Sequence, residues 1–179
     1  MMALEAVNNP SPVAHHEELE RALADLVAII DREVALFQDL LDTLNRQHQA
    51  VLQEEAEPVL DSTARVQELV QASRRLEQDR AHKAAEVSAH LRLDTEQPTL
   101  SQIIPLVEKQ YGERLRDLRD LLISLAKRVQ ETNLRNKQLL NRALHTVTKS
   151  IRLLNGQNGV YDDKGREQPA NRQFFTIQT

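Results

Sequence analysis

The chain has 179 residues, enough for one domain or one compact body with tails. Hydrophobic residues make up 40 % and aromatics 3 %, and there are four glycines and six prolines. A sheet protein of this size needs many turns, and turns draw on Gly, Pro and Asn. Leu, Ala, Glu, Gln and Arg dominate instead, all good helix formers, so the expected fold class is all-α.

The charge balance is 23 basic against 27 acidic residues, net −4. The two signs read as interspersed, with no long basic stripe for phosphate contacts, which argues against a nucleic-acid partner. No cysteine is present, so disulfides, thiolate metal sites and thiol nucleophiles are excluded. Met1 to Ala14 has no basic residue and no long apolar core, unlike a secretory signal. The longest purely apolar run is Leu26 to Ile30, far short of the ~18 residues of a membrane span. The expectation is a cytoplasmic protein with no membrane insertion.

In chain order, residues 1–14 contain Asn8-Asn9-Pro10-Ser11-Pro12 and read as a flexible arm. A helical pattern starts at about His15. Its apolar residues are Leu19, Leu23, Leu26, Ile30, Val34, Phe37, Leu41, Leu44 and Val51, in steps that place one stripe on one face. Two successive steps of four near Ile30 bring the period closer to 3.6 than 3.5, which suits a bundle better than a long regular coiled coil. A break is expected at about 54 to 58. A second helix from Pro58 then carries Val59, Val66, Leu69, Val70, Leu76, Val87 and Leu91, since proline is tolerated in a first turn. Between Leu76 and Val87 only Arg80 and Ala84 stand in line, which reads as thin packing. Asp94 to Pro98 reads as a loop. Thr99 and Gln102 have the spacing of a capping box for a short helix that Pro105 kinks or ends.

The third long pattern starts after Gly112 and continues to Asn155-Gly156, about residues 113–155. Leu115, Leu118, Leu122, Leu125 and Val129 open the stripe. Leu139, Leu140, Ala143, Leu144, Val147, Ile151 and Leu154 continue it. Asn133 and Asn136 fill the gap, either fixing register or offering hydrogen bonds to a partner helix. The later apolar residues could be core. Two features weigh against that: the stripe runs to the very end of the helix, and it leads into a tail that cannot form a layer. An exposed apolar helix face is a partner site.

Residues 156–179 read as a flexible tail with three of the four glycines. Tyr161, Phe174 and Phe175 lie there, and these rings either fold back or anchor a docking partner. The expected architecture is therefore an elongated antiparallel helical bundle or hairpin of three main helices. Residues 1–14 are the arm, 15–155 the bundle and 156–179 the docking tail.

Six histidines raise the question of metal. The nearest approaches to a ligand pattern are Asp79-x-x-His82 and Glu86-x-x-x-His90, and a di-iron bundle needs paired Glu-x-x-His motifs. His15-His16 sit at an expected frayed start. Surface imidazoles are the simpler reading, so no metal, no cofactor and no catalytic residue is assigned. Phosphate-binding glycine loops are absent, and nothing points to an enzyme.

The segment from Leu125 to Leu140 contains Asn-x-x-Asn-x-x-Leu-Leu, followed by the stripe to Leu153-Leu154 and then Val160-Tyr161-Asp162-Asp163-Lys164-Gly165-Arg166. This resembles the FlgN family of flagellar export chaperones. Ala50-Val51-Leu52, the break near Pro58 and Leu60 to Arg80 fit more loosely. The resemblance implies a cytoplasmic, non-enzymatic chaperone of type III secretion, binding the C-terminal helical ends of the hook-filament junction proteins FlgK and FlgL. It would prevent premature assembly and deliver them to the export gate. By position, Asn133, Asn136, Leu139, Leu140, Leu144, Val147 and Ile151 would form the substrate surface. Tyr161 would contact the export-gate protein FlhA. The chain would be a monomer or weak homodimer. A general coiled-coil adaptor or scaffold is the alternative, with a metal-dependent bundle enzyme third.

Overall fold

The computed structural model describes residues 12–95, 97–154, 160–161 and 167–168. Three long helices dominate: α1 (Pro12–Leu52), α2 (Ala56–His90) and α4 (Lys109–Leu154). Between the last two lie the one-turn α3 (Leu100–Ile103) and a 3-10 turn at Ile104–Leu106. The all-α reading holds; the described strands are only β1 (Val160–Tyr161) and β2 (Glu167–Gln168), paired antiparallel. The chain divides into two compact units, Met1–Leu134 and Arg135–Thr179.

Pro12 opens α1, three residues before the expected start, because proline's fixed φ suits a first helical position. Residues 1–11 of the expected arm lie outside the described residues. The turn between α1 and α2 takes Glu54 into positive φ, at 59°. Pro58 then falls in the first turn of α2, where it costs no hydrogen bond. Thr99 caps α3 as its spacing implies: Gln102 Oε1 accepts from the Thr99 backbone N–H at 2.9 Å. Pro105 sits inside the 3-10 turn that ends this short element. α4 begins at Lys109, so Gly112 lies within its first turn instead of ahead of it. A Cβ at Gly112 would stand 3.0 Å from the Ile104 carbonyl oxygen, so glycine allows the 3-10 turn to approach this helix closely.

The partners of α2 on α1 set their direction. Gln47 meets Thr63, Asp39 meets Arg65, Glu33 meets Arg80, and Asp25 meets Lys83. Later residues on α2 find earlier residues on α1, so the two helices are antiparallel. Early α4 packs on the same core. Leu115, Leu118 and Leu125 join Leu23, Leu26, Ile30, Val34 and Leu41 of α1, with Ala84 and Val87 of α2. Further along, Val129 packs against a second cluster of Leu40, Leu44 and Leu69.

The stretch of α2 from Leu76 to Val87 is not thinly packed, as its poor stripe suggested. Ala84 is 3 % exposed. Arg80 reaches Glu33, itself 3 % exposed, with its Nε 2.9 Å from one carboxylate oxygen and 3.1 Å from the other. An ion pair occupies the place where an apolar residue was sought. Burial raises the Glu33 pKa above 4.5; Arg80 opposes this only in part, and Glu77 adds to it.

Removing Arg80 leaves a buried charge with no counterion. Arg80→Ala should therefore lower stability by about 2–4 kcal/mol in urea unfolding, the figure reduced for Arg80's partial exposure. Adding Glu33→Gln to that variant should restore part of the loss. The pH dependence has a definite sign. A carboxyl whose folded pKa is raised favours the folded state below its unfolded pKa, and that contribution is lost as pH rises through the folded value. Glu33→Gln alone should thus gain stability relative to the parent as pH rises from about 4 toward 7.

Candidate functional site

The apolar register of α4 stays constant along its length, but its burial does not. Leu115, Leu118 and Leu125 are at most 4 % exposed, and Leu122 and Val129 are half-buried. Leu139 and Leu140 are also half-buried. Leu144, Val147 and Ile151, in the same register, are 64 %, 55 % and 51 % exposed. Every residue from Asn141 to Leu153 is exposed. The pairing of Asp31 with Arg114, 83 positions apart, gives the offset between α1 and early α4.

The two asparagines separate. Asn136 is 1 % exposed and Asn133 is exposed, although both fall on the apolar register. That register passes from Val129 through Asn133 and Asn136 to Leu140. Tyr161 stands in β1 opposite Glu167. Phe174 and Phe175 lie outside the described residues, as does the rest of the expected tail apart from the two strands.

Three side chains near the exposed stripe bond back to their own helix. Thr146, Thr148 and Ser150 donate to the carbonyl oxygens of Arg142, Leu144 and Thr146, at 3.1, 2.8 and 3.0 Å. Their donors are thereby satisfied without a partner. This part of α4 is also rich in β-branched residues: Thr146, Val147, Thr148 and Ile151. Such side chains lose χ1 freedom in a helix. The end of α4 is consequently a weak helix by propensity, with an apolar face.

Its charge is one-sided. From Thr132 to Leu154 the charged residues are Arg135, Lys137, Arg142, Lys149 and Arg152, with no Asp or Glu. This corrects the even interspersion read from the whole chain, since a net charge of −4 hides a basic segment. Leu134 and Leu153 are also exposed, at 57 % and 52 %, but lie off the face that carries Leu144, Val147 and Ile151.

The described residues also form several hollows. A hollow of about 680 Å³ is lined by Arg80, Thr99, Leu100, Ser101, Arg119 and Ile123, among others. The lining contains no His, Asp or Glu to serve as a base. Among the described residues, no helix is long and apolar enough to cross a membrane. His15 and His16 lie within α1, and the groupings that bring ligand atoms together are His15 with Glu18 and His90, and His16 with Glu20 and Glu108. Neither is the Asp79/His82 or Glu86/His90 spacing considered from sequence.

Comparison with known proteins gives one family. The family model described as FlgN protein matches residues 22–169. A comparison with curated proteins gives no match, and one with solved structures gives none either. The matched span runs from early α1 through the paired strands, including the exposed end of α4. The chain belongs to the FlgN family of flagellar export chaperones, which bind hook-associated proteins.

Proposed function

We propose that this protein is a cytoplasmic, non-enzymatic chaperone that captures the C-terminal helical ends of the junction proteins FlgK and FlgL on the last part of α4, then delivers them to the export gate. The observation that carries the reading is the exposure of Leu144, Val147 and Ile151 in a register that is buried earlier in the same helix. Junction subunits carry amphipathic helices whose apolar faces are buried only after assembly. Before then such faces favour aggregation, and a helix with an apolar stripe can cover them.

Magnitudes constrain the site. Fully burying an aliphatic side chain contributes about 1.5–3 kcal/mol. Leu144, Val147 and Ile151 have between 51 % and 64 % of their surface left to cover, so the three together add about 3–4 kcal/mol. A micromolar complex needs about 8 kcal/mol. Other groups must contribute, and Asn133, Leu139 and Leu140 extend the surface toward the N-terminal side, whereas Asn136, 1 % exposed, offers no free surface. The cations Arg142, Lys149 and Arg152 favour a partner helix with acidic flanks. An interface of this modest strength also permits release at the gate. Tyr161, near the end of the family match, is the proposed contact with FlhA.

The competing reading, a coiled-coil adaptor or scaffold, draws on the same stripe but closes it against a second copy. It requires a stable homodimer, whereas the chaperone reading requires a monomer or a weak dimer. Sedimentation at micromolar concentration separates them.

Calorimetric titration with the C-terminal helical segment of the organism's own FlgK tests the proposal. The intact chain should bind, while Leu144→Asp and Ile151→Asp should each weaken binding at least about tenfold, or about 1.4 kcal/mol. Both residues are exposed, so unfolding free energies should change by no more than about 0.5 kcal/mol. Normal binding by either variant would remove the stripe from the site. Raising salt from about 50 to 500 mM should weaken capture several-fold, because screening acts on the basic rim. Tyr161→Ala should leave junction-protein affinity unchanged and reduce affinity for the cytoplasmic part of FlhA; unchanged FlhA affinity would exclude Tyr161 from docking.

A further inference from the structure

Antiparallel packing of α1 and α2 brings the start of one helix to the end of the other. His15 and His90, 75 positions apart, meet there. Their ring centroids are 5.2 Å apart with the planes inclined at 55°, and His15 Nε2 lies 3.2 Å from the His90 carbonyl oxygen. Glu18 follows His15 by three positions, so both side chains leave the same face of α1. One ligand atom from each of His15, Glu18 and His90 lies within 4.8 Å of the others. Both imidazoles are half-buried and the carboxylate is exposed.

We propose that His15, Glu18 and His90 form a binding site for a divalent transition-metal ion, with zinc as the expected occupant. Two imidazoles and a carboxylate are a donor set suited to zinc, which takes nitrogen and oxygen at about 2.0–2.2 Å and leaves a fourth tetrahedral position for water. At those bond lengths neighbouring ligand atoms stand about 3.4 Å apart. Side-chain rotation has to close the present separations by no more than about 1.4 Å. His90 is the last residue of α2, and the aligned peptide dipoles give that helix end a partial negative charge that favours a cation. The ion would clasp the two helix ends at a point now joined by the His15–His90 hydrogen bond. The neighbouring group of His16, Glu20 and Glu108 has one imidazole and two carboxylates, a poorer set for zinc.

The test uses the full-length chain without a histidine tag, treated with chelator and titrated with zinc chloride by calorimetry. Cobalt(II) is titrated in parallel to read coordination from its visible absorption. The expected result is one zinc per chain, a tetrahedral cobalt spectrum and a raised thermal unfolding midpoint with zinc. His15→Ala, His90→Ala and Glu18→Gln should each weaken zinc at least about tenfold with helicity unchanged, and His82→Ala should leave affinity intact. Glu18 is exposed, so its variant reports even if a histidine variant folds poorly. Absence of zinc binding would overturn the site. So would undiminished affinity in all three variants, loss on His16→Ala instead, or half an equivalent of zinc with dimer formation.

Discussion

An apolar helix face is stable in water only where something covers it, and α4 carries one such face through two environments. From Leu115 to Val129 that face lies against residues of α1 and α2. From Leu144 to Ile151 the same register is exposed. Packing supplies most of the stability of helices in proteins. The two stretches of α4 therefore differ in what holds them, although their patterns are alike. The early stretch belongs to a core, and the late one leaves its apolar residues exposed.

The core has a polar insertion of its own. Glu33 and Arg80 replace an apolar contact between α1 and α2, and burial of such a pair often contributes little net stability over well-packed hydrophobes. Its clearer effect is on alignment. A carboxylate that is 3 % exposed tolerates only an arrangement that supplies a cation, so a slip of α2 along α1 would strand it. Asp39 with Arg65 and Asp25 with Lys83 follow the same antiparallel order at the exposed edges, where each pair contributes less. The alignment in turn brings the His15 end of α1 to the His90 end of α2.

Much of this fold was legible from spacing. The α1 stripe from Leu23 to Val51 is buried almost residue for residue, because one long amphipathic helix has one way to face a core. Pro58, Thr99 with Gln102, and Pro105 marked boundaries through local chemistry that tertiary structure did not override. Arg80 was misread because a pattern search scores charge as solvent-facing and cannot see that Glu33, 47 positions earlier, supplies its counterion. Asn133 and Asn136 looked equivalent because both fit the gap in the apolar register; their burial, which spacing alone does not give, separates them. The basic end of α4 was hidden by acidic residues elsewhere in the chain and was accessible to a windowed charge count. The clustering of His15, Glu18 and His90 had no local signal, since it arises from antiparallel pairing across 75 positions.

An export chaperone has to hold its client and let it go. On the proposed reading, the exposed stripe, the basic segment and the β-branched helix end of α4 would together give an interface of modest strength. The direct test is amide hydrogen exchange along α4, free and with the junction-protein segment. In the free chain residues 141–153 should exchange far faster than 115–129, and the client should slow them at least about tenfold while leaving the early stretch unchanged. Equal protection along the whole of α4 in the free monomer, or a bound client that leaves 141–153 unprotected, would contradict the assignment of this face to client capture.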